Sequence, residues 1–146
     1  MGREVVVAEL QPLLVELTDL GLTAKQAHWN VTGPLFRPLH LQLDELADDA
    51  RGWTDQVAER IVAVGSAADG RVDTVAADTP LASFPAGLVE DVKVVVGIVQ
   101  RLDEVVGRTR SRIARLGDVD LVSQDLLLGI AAGLEKHRWM FSTQQR

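Results

Sequence analysis

Residues 24–60 read AKQAHWNVTGPLFRPLHLQLDELADDARGWTDQVAER. From Leu39 onward an apolar residue returns every three or four positions: Leu39, Leu43, Leu46, Ala50, Trp53, Val57, Ile61 and Val64, stopping at Gly65. That is the period of an amphipathic helix. A second, polar stripe runs beside the apolar one. At about 100° per residue, His40, Asp44, Asp48, Asp55 and Glu59 fall within an arc of about 100°. Upstream, Gly33, Pro34 and Pro38 in NVTGPLFRP interrupt helical hydrogen bonding, so His28 closes one helix and His40 opens the next.

The rest of the chain repeats the helical period. Leu10, Leu13, Leu14, Leu17, Leu20, Ala24 and Ala27 predict a first helix over about residues 4–29. Residues 65–87, rich in Gly, Ala, Asp, Thr and Pro, read as a crossover with one short helix near 73–77. VKVVVGIV at 92–99 has the β-branched content of a strand. Yet Leu88, Val92, Val95, Val99, Leu102, Val106, Ile113 and Leu116 keep helical spacing well past strand length, which predicts a third helix. Gly117 and Asp118 end it. Ser123 is the expected N-cap of a fourth helix built on Leu126, Leu127, Ile130, Leu134 and Met140. The expected fold is all-α: a ferritin-like four-helix bundle with a long crossover between helices two and three, forming one domain over residues 1–146.

Composition narrows the chemistry. With 146 residues and 47% apolar side chains the chain can bury a substantial core. There is no cysteine, so any bound metal takes nitrogen and oxygen ligands, which suits iron or zinc. No secretory leader pattern and no apolar run of roughly 18 residues is present, and the expectation is a soluble cytoplasmic protein with no membrane partner. A formal charge of −6 argues against a generally nucleic-acid-binding surface.

The polar stripe of helix two is too long for one metal. Asp44 and Asp55 are eleven residues apart, roughly 16 Å along the axis, whereas ligands of a single ion lie within a few ångströms of one another. The helix therefore offers two half-sites, His40 with Asp44 and Asp55 with Glu59, each at i, i+4. Two copies packed antiparallel about a two-fold axis complete both, because the pairs 44/55 and 40/59 share one midpoint, between Asp49 and Ala50. His28 is placed to cap the cluster from helix one. Glu-x-x-His pairs, which hold the metals of ordinary di-iron bundles within one subunit, are absent from the sequence.

In these residues the chain resembles the Dps family of mini-ferritins. The resemblance is carried by KQAHWNVTGPLFRPLHLQLDEL, by Asp55–Arg60 as D-x-x-x-E-R, and by LEKHRWMF near the end, and it extends over essentially the whole chain. It implies that His28, His40 and Asp44 of one subunit join Asp55 and Glu59 of its two-fold partner in a ferroxidase centre. It also implies a homo-oligomeric shell of twelve subunits that oxidises Fe(II), preferably with hydrogen peroxide and otherwise with dioxygen, and stores ferric mineral. Trp29, next to His28, is then a candidate radical quencher, with helix-end packing as its plainer role. Asp125, with Asp118 and Asp120, is a candidate for a three-fold pore that guides iron. Asp48 and Asp49 are candidates for mineral nucleation. Family members that bind DNA commonly use a Lys/Arg-rich tail, and here only Arg3 precedes helix one and only Arg146 follows the last helix. Arg101, Arg108, Arg112 and Arg115 share a face of helix three, expected to be solvated or salt-bridged. DNA binding is expected to be weak or absent. The alternatives are a DNA-compacting, nucleoid-associated shell with an idle metal site, and a plain helical interaction module.

Overall fold

The computed structural model describes residues 2–145. Four long helices, α1 (Gly2–Asn30), α2 (Phe36–Ala63), α4 (Asp91–Leu116) and α5 (Leu121–Ser142), form the bundle, and a short α3 (Val72–Asp78) lies in the crossover. The short helix expected near 73–77 is thus present. The helical fold class stands, with one addition: Val31–Thr32 (β1) and Val89–Glu90 (β2) pair in parallel, Val31 opposite Val89. This pairing moves the start of the third long helix. The apolar period suggested Leu88, but residues 89 and 90 are drawn into the ladder, the helix begins at Asp91, and Leu88 and Val92 are exposed.

One apolar core unites the helices. Leu10, Leu13, Leu17, Leu20, Leu39, Leu43, Leu46, Ile61, Ile98, Leu102 and Phe141 are all fully enclosed. Pro38, read from the sequence as part of the break before helix two, lies inside α2, which begins at Phe36. It occupies the third position of the helix, where no intrahelical N–H partner is needed.

Three anchors fix the connections between the helices. Gly33 has φ 112°, and a Cβ there would lie 2.7 Å from the Asp91 carboxylate, so only glycine lets the turn settle on the start of α4. Buried Asp91 accepts from the Leu35 N–H at 2.9 Å and the Val92 N–H at 2.8 Å. The crossover is pinned to α1 by Gln11, which exchanges hydrogen bonds with the backbone of Asp69 at 2.8 and 3.0 Å. At its far end Arg101 donates to the Ala82 and Ser83 carbonyls at 2.7 and 3.0 Å and lies over the Phe84 ring.

The N-cap of α5 is Asp120, not Ser123. The Asp120 carboxylate accepts from the Val122 N–H at 3.3 Å. Ser123 sits one turn inside, buried, donating to Asp120 at 2.5 Å and accepting from Arg60 Nε at 3.0 Å. The aspartate takes the cap because its carboxylate also receives Arg60 Nη2 at 2.8 Å.

Candidate metal centre

The broken turn between α1 and α2 brings His28 and His40 face to face. Their rings stack with centroids 3.7 Å apart and planes 9° from parallel. Each Nδ1 lies against the other residue's backbone carbonyl, His28 Nδ1 at 2.5 Å from His40 O and His40 Nδ1 at 2.7 Å from His28 O. A carbonyl only accepts, so each Nδ1 carries hydrogen. In the neutral rings the lone pairs are therefore left on the two Nε2 atoms, the state a metal requires. Phe36, in the first turn of α2, stacks on the outer side of His40 at 5.0 Å. Nothing in the twelve-residue spacing of the histidines foretold this reciprocal bonding; it depends on the turn that Gly33 and Asp91 set.

Asp44 follows one turn along α2 and forms an ion pair with Lys25 of α1. The hydrogen bond from Lys25 holds the Asp44 carboxyl below its usual range, with further help from the positive charge of Lys25. The carboxylate is ionised at neutral pH, and both partners remain more than a third exposed.

Asp55 and Glu59 stand exposed further along α2, without a hydrogen-bond or ion-pair partner among the described residues. Within one chain the structure does not bring them to the histidines: no three His, Asp or Glu side chains among the described residues converge on a point that could hold a metal. The chain presents two separated groups on one helix face.

The remaining sequence-predicted residues fall in different settings. Trp29 is 65% exposed, so helix-end packing within the subunit is not its role. Asp118 and Asp125 are exposed. With the cap at Asp120, Asp125 is five positions into α5, past the first turn in which a carboxylate stabilises the helix dipole. Asp120 is engaged by Arg60 and Ser123, which together hold its carboxyl below the usual range, Ser123 contributing most. Asp48 is exposed, and Asp49 accepts from His137 Nε2 at 2.5 Å.

Three polar groups escaped the sequence reading. Glu16 is completely buried in α1 and paired with Arg108 and with Arg112 Nη1, the latter at 2.6 Å. It precedes Leu20 by one helical turn, and two arginines at i, i+4 on α4 were the only signal that it had partners. His137 of α5, 4% exposed, sits edge-on to Trp53 as well as bonding Asp49. Asp91 had no signal, because Leu35, the partner that ties it to the α1–α2 turn, lies 56 residues away. The arginine face of α4 is consumed internally: Arg101 by crossover carbonyls, Arg108 and Arg112 by Glu16, and Arg115 by Glu9 at 2.6 Å.

The long four-helix bundle with its crossover, and a histidine pair at the α1–α2 turn, define the chain as a ferritin-like protein. A family model for the ferritin-like domain matches residues 7–146. The DNA protection during starvation protein of Mycolicibacterium smegmatis is 38% identical over 138 residues, covering 89% of this chain and 71% of that protein. DNA protection during starvation protein 2 of Deinococcus radiodurans is 35% identical over 133 residues, 91% of this chain and 55% of that longer protein. The chain thus spans little more than half of the Deinococcus relative's length. The solved structure of Dps from Microbacterium arborescens in its high iron form superposes with a TM-score of 0.92 at 36% identity, covering 96% of this chain and 91% of that one. The chain belongs to the ferritin-like domain family and, within it, to the Dps proteins.

Proposed function

We propose that the chain is a ferroxidase mini-ferritin: Fe(II) bound between two subunits is oxidised, preferably by hydrogen peroxide, and the ferric product is stored as mineral inside a closed shell of twelve copies. The observation that carries this reading is the stacked His28–His40 pair, with both Nε2 lone pairs free, on the same helix face as Asp44 and the unpartnered Asp55 and Glu59. A two-fold axis at the midpoint between Asp49 and Ala50 sets Asp44 against Asp55 of a second copy and His40 against Glu59 of that copy. Membership of the family and the high iron form of the Microbacterium relative support iron as the substrate.

The donor set suits the reaction. Carboxylates from Asp44, Asp55 and Glu59 favour Fe(III) over Fe(II) and so assist electron loss, while neutral imidazoles hold the incoming ion without adding charge. One peroxide takes one electron from each of two Fe(II) ions and two protons, giving two waters. Because iron supplies both electrons, release of hydroxyl radical is limited, and exposed Trp29 beside His28 is positioned to intercept a stray one. Iron reaches the interior past exposed Asp125 and Asp118, whereas Asp120 is already neutralised by Arg60. The protein works in the cytoplasm. DNA contact is weak at physiological salt, since counterion release needs several unpaired cations and the α4 arginines are held within the subunit.

A complementation experiment tests the shared site. One variant carries His28→Ala and His40→Ala, the other Asp55→Ala and Glu59→Ala, and each alone loses rapid peroxide-dependent iron oxidation. When the two are unfolded together and refolded as a mixture, each mixed interface has one intact site, and activity returns in proportion to the fraction of mixed interfaces. Mixed shells, verified by native mass spectrometry, that stay as inactive as both parents would exclude the intersubunit centre.

A further inference from the structure

We infer that the two-fold interface is locked at its centre by a reciprocal pair of intersubunit salt bridges, Arg51 of each copy with Asp48 of the other. The inference rests on the two-fold register proposed above, but on residues that bind no iron in that reading. Residues facing each other across the axis lie symmetrically about the point between Asp49 and Ala50, and Asp48 and Arg51 do so. They are only one and a half residues from it, about 2 Å along the helix.

Both side chains are exposed, and neither has a hydrogen-bond or ion-pair partner among the described residues, although i, i+3 spacing on one helix would have allowed them to pair with each other. Arg51 lies about 20° from Asp44 and about 40° from Asp55 around the helix, at one edge of the acidic stripe and about halfway along its length. Each copy would bring Asp44, Asp48, Asp55 and Glu59 to the same antiparallel contact, and like charges desolvated at an interface repel strongly. A cation beside the axis offsets that repulsion halfway along the contact.

The adjoining surface fits a helix from a second copy. Asp48, Arg51, Gly52, Asp55 and Leu22 border a groove of about 700 Å³ between α1 and α2. A Cβ at Gly52 would meet nothing within 4 Å among the described residues. The subunit therefore does not itself require glycine there, in the interior of a helix where glycine is unfavourable, and close approach of a neighbouring backbone supplies the reason. In this assignment Asp48 is a contact residue at the axis.

Charge reversal separates this contact from any within the helix. The variant Asp48→Arg presents two cations at the axis, and Arg51→Asp presents two anions, so either homodimeric interface is repulsive. A mixed interface is complementary twice over, while the i, i+3 pair inside each chain stays repulsive. With one variant isotope-labelled, the mixture refolded at low salt and two-fold dimers counted by native mass spectrometry, mixed dimers are expected in about threefold or greater excess over random pairing, an excess that shrinks as salt screens it. The neutral pair Asp48→Asn and Arg51→Gln, which allows one salt bridge only in the mixed dimer, should show a smaller excess in the same direction. Random pairing in both mixtures overturns the salt bridge. If the iron-oxidation complementation still succeeds, the metal centre stands and only this contact falls; if both fail, the two-fold register itself is wrong.

Discussion

His28 and His40 show how much a single side chain's chemistry depends on its backbone neighbour. Each imidazole is fixed by the other's carbonyl, so the tautomer is set by the turn rather than by a carboxylate, the more usual partner of metal-binding histidines. Asp120 works at the same scale: it caps α5 and receives Arg60 and Ser123. Asp120→Ala should lower stability by about 1–2 kcal/mol, the range for a lost cap. The folded carboxyl is held below its ordinary value, so its contribution is fully present above the unfolded pKa of about 3.9 and is lost as pH falls through the lower folded value. Urea midpoints of wild type and variant should therefore differ by a constant amount from pH 7 to about pH 5 and converge below about pH 4. A gap that persists unchanged in acid would show that the carboxylate's charge is not what stabilises the cap.

Among the elements, α1 and α4 are joined by a charged contact inside an apolar bundle. Glu16 is fully enclosed and Arg112 nearly so, and removing the carboxylate would leave buried Arg112 without its counter-ion and Arg108 with only Glu104, at 3.6 Å. Glu16→Ala should cost about 3–5 kcal/mol, whereas Arg115→Ala, which breaks the exposed pair with Glu9, should cost about 1 kcal/mol or less. Chemical denaturation of the two variants tests the contrast; equal effects would mean that burial does not govern these pairs. Glu16 was hard to read in the sequence because a lone carboxylate beside a leucine stripe reads as a solvated flank. The helices themselves were legible, since the apolar period is carried by residues close together in the chain. Their ends were less so: β2 displaced the start of α4, and Arg60 made Asp120 the cap of α5, both through partners about 60 residues distant.

For the whole molecule, the exposed acidic face of α2 has no purpose in an isolated subunit, and the proposed shell gives it one. Light scattering at neutral pH and moderate salt should find a particle of twelve subunits, and a stable monomer or dimer would rule the shell out. In the proposed arrangement the two-fold contact is the smallest unit with a complete metal centre, so dimers, if populated on dilution, should retain iron oxidation while losing mineral storage.

The sequence by itself determined the helical fold, the crossover and the stripe holding His40, Asp44, Asp48, Asp55 and Glu59, because all of these follow from a local period that any helix must obey. Tertiary structure decided what those residues meet. The stacking of His28 on His40, the seat of Lys25 on Asp44 and the internal capture of the α4 arginines each join positions that only packing brings together, with contacts fixed by turn geometry and enclosed volume rather than by spacing along the chain.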